Sequence, residues 1–284
     1  MSSMTLPFMK SALVAFLGVL LAATAQAATL TVTSSADSGA GTLRQALADA
    51  ADGDTIDFAP AANPITVNSA LNVNRRVTMS GVSQVVQASG TSFDVFYLTS
   101  GASGSTLSGM AILRGRFGIW MTGCSNVSVL NCRIGIDYSD ANQAAASCGI
   151  RLDWGNNVRI GAPGQGNVIS WSMYGIYVSE SSANTIIQSN YIGTNAAGTS
   201  DAGYMGGIVL TMNSTGTLIG GNMAAGEGNL ISGHNEGIYT LNGSHDNIIA
   251  GNIIGLNATQ TAAIPNFIGL RITTPNHIIG QIFP

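Results

Sequence analysis

The sequence predicts an all-β fold: a right-handed parallel β-helix (solenoid) with a short N-terminal capping helix. Three observations carry that prediction. First, the chain repeats itself: "NTIIQSNYIGTNAAGTSDAGYMGGI" from Asn184 returns as "DNIIAGNIIGLNATQTAAIPNFIGL" from Asp246. Second, a Gly followed by Ile or Leu opens six segments, at Gly118, Gly149, Gly175, Gly207, Gly237 and Gly269, spaced 31, 26, 32, 30 and 32 residues apart. Third, the runs between turn residues are short, β-branched and alternate at period two, as in "GIYVS" and "GIYTL", which is strand rather than helix patterning.

The repeat has a finer rule. After Gly118, Gly175 and Gly237 an Ile-Gly pair arrives 16, 17 and 17 residues later, at Ile134, Ile192 and Ile254. After Gly149, Gly207 and Gly269 it comes sooner, at Ile160, Ile219 and Ile279, and the first two are followed by a Gly-rich loop and "GNVIS" or "GNLIS". Two kinds of coil therefore alternate, and the unit is a pair about 60 residues long, within the range of stacked-repeat architectures. One coil cannot bury its apolar face alone, but stacked coils enclose a continuous core, and parallel crossovers wind right-handed.

Taken in order, residues 1–27 read as a secretory signal peptide. Lys10 precedes an apolar run from Ala12 to Ala23, and Ala25-Gln26-Ala27 offers a small-residue cleavage site. No Cys follows the cut, which argues against a lipoprotein, and no other long apolar run exists. The mature protein is expected to be secreted, extracellular or at the cell surface, with no membrane span after cleavage. Residues 28–58 read as an N-terminal cap of strand, helix and strand. Thr42 and Gln45 match a capping box opening a helix to about Ala50, and Leu43, Ala46 and Leu47 form its apolar stripe. Such a helix covers the bare core and unpaired edges at the open end of a solenoid. Residues 59–284 read as β-helix repeats. "NHIIGQIFP" stops partway through a coil, so a longer protein with an adjoining C-terminal module is expected, or else a partner over the last coil.

The composition excludes some functions. The ten Lys plus Arg include Lys10, so the mature chain keeps nine Arg against fourteen Asp plus Glu. That balance speaks against nucleic acid, which selects clustered cations. Cys124, Cys132 and Cys148 fit no zinc spacing and read as buried small hydrophobes or one local disulfide. The Asn residues are expected at turns, where stacked amides can bond to one another.

"GIYVSESSANTIIQSNYIGTNAAGTSDAG" and "GNLISGHNEGIYTLNGSHDNIIAGNIIG" resemble the repeats of bacterial right-handed parallel β-helix proteins of the pectin-lyase-like superfamily. "TLTVTSSADSGAGTLRQALADAADGDTIDF" resembles the entry segment of exported or surface members. The resemblance covers nearly the whole mature chain and implies the fold. It is weak for activity, because lyases, epimerases, adhesins and surface proteins share such repeats.

The register lets columns be read. One and three residues past each opening Gly the positions are core. Two past lie Trp120, Arg151, Tyr177, Val209, Tyr239 and Arg271, pointing outward at the strand spacing of about 4.8 Å. Aromatic faces stack on sugar rings and guanidinium groups hold carboxylates, so Trp120, Tyr239 and Arg271 are candidate contacts to an extracellular or cell-wall polysaccharide. A cross-strand stabilising ladder is the plainer alternative. Asp153 shares the outward face with Arg151. For β-elimination or epimerisation of an acidic polysaccharide, Arg151 or Tyr177 would be the base, with Asp153 orienting it or holding Ca²⁺ beside Asp137 and Asp140.

Against the enzyme reading, the chain lacks stretches like the "vWiDH" and "RxPxxR" of pectate lyases and the "NTD…DD…GHG…RxK" series of polygalacturonases. "SGHN" at Ser232–Asn235 matches only slightly, and His234, His245 and His277 sit at different coil positions. The expectation is an exported scaffold or surface protein that binds glycans, with no metal site and no cofactor. A polysaccharide lyase or epimerase is the alternative.

Overall fold

The computed structural model describes residues 26–143, 145 and 147–280; most of the signal peptide expected at residues 1–27 and the last four residues of the expected repeat region lie outside them. The chain winds as a right-handed parallel β-helix with three strand-bearing faces. Face I is an eight-stranded parallel sheet running from Leu71–Val73 through Phe96–Leu98, Phe117–Thr122, Cys148–Asp153, Tyr174–Ser179, Gly206–Leu210 and Glu236–Thr240 to Ile268–Ile272. Face II stacks short strands at Ser128–Leu130, Arg159–Ile160, Ile186–Ile187, Leu218–Gly220, Ile248–Ala250 and Ile278–Ile279. Face III stacks Arg133–Ile134, Val168–Ile169, Tyr191–Ile192, Leu230–Ile231 and Ile253–Ile254. The long strand Thr106–Leu113 pairs with both columns, its first half with face II and its second with face III.

The alternation of coils has a simple geometric meaning. In the coils opened by Gly118, Gly175 and Gly237 the long loop joins face III to face I. Each of these loops is closed by an antiparallel bridge, Ile136 to Asn142, Thr194 to Asp201 and Leu256 to Ala263. In the coils opened by Gly149 and Gly207 the long loop joins face II to face III instead. The Ile-Gly pairs that look alike in sequence therefore sit on different faces: Ile134, Ile192 and Ile254 on face III, but Ile160, Ile219 and Ile279 on face II. The repeated outer loop folds the same way in both copies. Asn195 Oδ1 accepts from Thr199 N and Ser200 N, and Asn257 Oδ1 accepts from Thr261 N and Ala262 N.

The opening Gly residues form a column because neighbouring backbones leave no room for more. A Cβ on Gly118 would lie 2.7 Å from the carbonyl oxygen of Gly149, and one on Gly207 would lie 2.5 Å from that of Gly237. One step inward, Ile119, Ile150, Ile176, Ile208 and Ile238 are fully buried on successive coils. Burying one such side chain contributes on the order of 1.5–3 kcal/mol.

One corner of the core is polar. Asn167, Asn190, Asn229 and Asn252 stack on four consecutive coils, each amide donating to the next Oδ1 at 2.8–2.9 Å. The same amides also donate to the carbonyls of Val129, Ile160, Ile187 and Ile219. The backbone N–H of each of the first three adds a bond to the following Asn. Cys132 holds this position on the first coil, and its N–H donates to Asn167 Oδ1.

At the start, β1 (Thr29–Val32) pairs in parallel with β2 (Asp54–Phe58). Between them α1 (Leu43–Asp49) lays Leu43, Ala46 and Leu47 against the core. Its capping differs from the sequence expectation. Thr42 Oγ1 accepts from Gln45 N, but the Gln45 side chain donates to Asp49 at 2.8 Å instead of reaching back to the N-cap. Thr42 N is satisfied by the carbonyl of Gly39, so the reciprocal half of the box is not needed. All three cysteines are free and buried, so of the two readings the buried hydrophobes hold and the disulfide does not.

Candidate functional site

The outward column of face I is one continuous register. Trp120 pairs with Arg151, Arg151 with Tyr177, Tyr177 with Val209, Val209 with Tyr239 and Tyr239 with Arg271. It extends one coil further than the counting reaches, because Tyr97 pairs with Trp120 and their rings lie 4.8 Å apart. No Gly opens that coil; Val95 stands where Gly118 stands in the next. The counting rule therefore passes over Tyr97, although "VFYLT" alternates as the later strands do.

The lower half of the column is a closed network centred on Asp153. Its Oδ2 accepts from Trp120 Nε1 at 2.8 Å and from Arg151 Nε at 2.7 Å, while Oδ1 accepts from Ser179 Oγ. The sequence places this carboxylate on an open face; the structure keeps it on that face but leaves it 2% exposed. The Arg151 guanidinium also lies over the Tyr177 and Phe117 rings, at 5.2 and 5.5 Å. Beside it Arg116 stacks on Phe117 and Trp120 and binds Asp94 through two N–H groups.

This packing determines what the network can do. Burial pulls the Arg151 pKa down, but the hydrogen bond and charge of Asp153 outweigh it, and the net shift is upward. Burial also raises the Tyr177 phenol, against a partly offsetting pull from Arg151. Both groups stay protonated at neutral pH, where a general base must be free to accept a proton. With three donors already on Asp153, the carboxylate is bound from both oxygens. Asp137 and Asp140 are occupied elsewhere: Asp137 Oδ1 accepts from Ser139 and Ala141, and Asp140 pairs with Arg133 at 2.8 Å. Among the described residues no group of three or more His, Cys, Asp or Glu side chains is placed to hold a metal ion.

The upper half of the column is open. Tyr174, Tyr177, Val209, Glu236 and Tyr239 line a surface depression of about 180 Å³. Tyr174 and Tyr177 have ring centroids 5.4 Å apart, and Arg271 lies over Tyr239 at 4.8 Å while pairing with Glu236 at 2.7 Å. Tyr174 and Glu236 were not legible as site residues. They occupy the position just before Gly175 and Gly237, where nothing in the period marks them.

The histidines stay apart from this face's chemistry. His234 is buried beneath the outer loop, with Nδ1 accepting from Tyr204 N at 3.2 Å. Burial lowers its pKa to about 4, despite opposing pulls from the Ile192 carbonyl and the charge of Asp201. His245 pairs with Asp246, and His277 Nε2 contacts the Thr274 hydroxyl at 2.9 Å.

Comparison with known proteins decides the family. Residues 73–266, more than half of the chain, match the family model described as "Periplasmic copper-binding protein (NosD)". The chain belongs to the NosD family. That membership supports an exported or cell-envelope location. Among solved structures, the NosD-family chain is similar to an alginate lyase from Paenibacillus sp. str. FPU-7. The two share 13% identity with a TM-score of 0.44, covering 90% of this chain and 98% of that one. It is also similar to the catalytic domain of a GH87 α-1,3-glucanase in complex with tetrasaccharides, at 14% identity and a TM-score of 0.38, covering 89% and 68% of the two chains. No curated protein matches the sequence.

Proposed function

We propose that this chain is an exported, non-catalytic β-helix scaffold whose face I binds a glycan outside the cytoplasm. One observation carries the reading: the outward column is rich in aromatic side chains, and its buried carboxylate, Asp153, is consumed by Trp120, Arg151 and Ser179. A surface of that kind offers stacking area but no free base. The direct test is affinity electrophoresis through gels containing different polysaccharides, read beside the ultraviolet absorbance of unsaturated sugar ends. Retardation without new absorbance, and with the uronate epimer ratio of the polymer unchanged by NMR, supports the scaffold. Absorbance that appears with the protein and disappears in Arg151→Ala supports the lyase alternative, and a changed epimer ratio supports the epimerase; either sinks the non-catalytic reading. Protease treatment of intact cells separates a surface location from a periplasmic one.

The family description raises copper, and the described cysteines and histidines of this chain do not fit it. Copper in proteins is held by converging Cys, Met and His side chains. Here Cys124 donates to backbone carbonyls near Leu98, and Cys132 to those of Leu107 and Leu130. Burial pushes Cys124 and Cys132 up to about 11 and Cys148 to about 12, and among the described residues no group of three or more His, Cys, Asp or Glu side chains converges to hold an ion. No step of the proposed function runs through copper.

A further inference from the structure

The column alternates large and small at one place. Tyr177, Val209 and Tyr239 occupy the same register on three consecutive coils. Their backbone positions therefore lie two strand spacings apart, about 10 Å, with the smaller Val209 between them, 2% exposed beneath its neighbours. Beside Val209 the strand carries Gly206, paired with Tyr174 on one side and Glu236 on the other. A Cβ there would meet the Tyr174 ring at 2.8 Å, so the glycine lets Tyr174 lean over the depression. The result is a notch about 180 Å³ in volume. Tyr174, Tyr177 and Tyr239 line it together with Glu236, so it offers aromatic surface, phenol groups and a carboxylate to one occupant.

The charges around the notch cancel. The three guanidinium groups that stack on face I rings each pair with a carboxylate: Arg116 with Asp94, Arg151 with Asp153 and Arg271 with Glu236. Three positive charges meet three negative ones, so a uronate carboxylate gains no net attraction here. A pyranose with only hydroxyl groups fits better. Its C–H faces stack on ring faces, and its hydroxyls meet Glu236 oxygens and phenol O–H groups.

We infer that the Tyr177–Val209–Tyr239 notch is a subsite for one ring of an uncharged oligosaccharide. The inference rests on the glycan-binding reading above and narrows it to a place and a chemical class. The test uses the full chain, titrated calorimetrically with neutral gluco-, manno- and xylo-oligosaccharides and with matched uronate oligosaccharides, at low and high salt. Val209→Tyr fills the notch with a side chain the same register already carries on both adjoining coils, so folding is expected to survive. Neutral oligosaccharides should bind, with affinity unchanged by salt and lowered about tenfold or more in Val209→Tyr. Wild-type affinity in a well-folded Val209→Tyr would overturn the subsite while leaving glycan binding intact. Preference for uronates, weakening with salt, would overturn the uncharged class. Binding of none of these sugars by the wild type would overturn the proposal and the glycan reading together. Should Val209→Tyr fail to fold, Tyr239→Ala removes one lining ring, with the same about tenfold loss expected and the same outcomes.

Discussion

Two columns run up this molecule on the same coil spacing and obey opposite rules. At the polar corner Asn167, Asn190, Asn229 and Asn252 are identical from coil to coil. On face I the residues at one register are Tyr97, Trp120, Arg151, Tyr177, Val209, Tyr239 and Arg271. The difference follows from burial. An amide inside the stack has only its neighbours above and below as partners. A group that both donates and accepts closes that bond repeatedly only if it is repeated. An outward position needs no identical partner on the next coil and can change at each one, so variation collects on the face a ligand can reach.

The largest expected effect breaks the buried column. Asn190→Leu removes the bonds to Ile160 O and Asn229 Oδ1 and strands the Asn167 N–H and one of its two amide hydrogens, the other keeping its bond to Val129 O. With unsatisfied buried groups costing roughly 1–3 kcal/mol each, a loss of about 4 kcal/mol is expected in urea unfolding. A result within about 1 kcal/mol of wild type would show that the ladder is not what holds this corner.

Asp153→Ala is next, because it tests whether the closed half of the outward column behaves as core. Removing a buried carboxylate with three donors, one of them a partly buried guanidinium, is expected to cost about 3 kcal/mol. A purely surface role would leave the melting temperature unmoved.

A third prediction concerns pH. His234 has a folded pKa of about 4 against an ordinary 6.5, because burial disfavours the charged ring. The unfolded chain therefore takes up the proton first. The stability from the neutral ring is complete above pH 6.5 and is lost as pH falls toward about 4. Between pH 6.5 and 5 the loss is about 2 kcal/mol. His234→Gln, which keeps an acceptor near Tyr204 N, should flatten thermal stability across that window. An equally steep profile in the variant would assign the slope to other groups.

The smallest effect on the fold is expected at the open half of the outward column. Tyr239→Ala should change stability by less than about 1 kcal/mol, while weakening glycan binding as described. Equal damage to fold and binding would erase the contrast between the two columns.

Much of this was legible in sequence. The spacing of the opening Gly residues found five coil-to-coil registers of face I, the core column beside them and the alternation of coil types. It could not see Tyr97, whose coil lacks the Gly, nor Tyr174 and Glu236, which fall off the counted position. The capping signal located α1, but Gln45 found Asp49 instead of the N-cap. The stacked amides were anticipated as a class. Which Asn residues form the ladder emerged only once the loop between faces II and III was traced.

Sequence alone determined the period, because the repeated Gly and Ile positions answer to local demands: backbone clearance between coils and an apolar core. Only the tertiary structure decided the state of Asp153 and the shape of the notch. Both depend on how side chains 26 to 33 residues apart meet across strands, a distance set by winding and not by the neighbours each residue has along the chain. Asp153 looks like a reactive carboxylate until Trp120 and Ser179 close over it from the adjoining coils. Val209 looks like a gap in an aromatic series until the rings above and below turn that gap into a site.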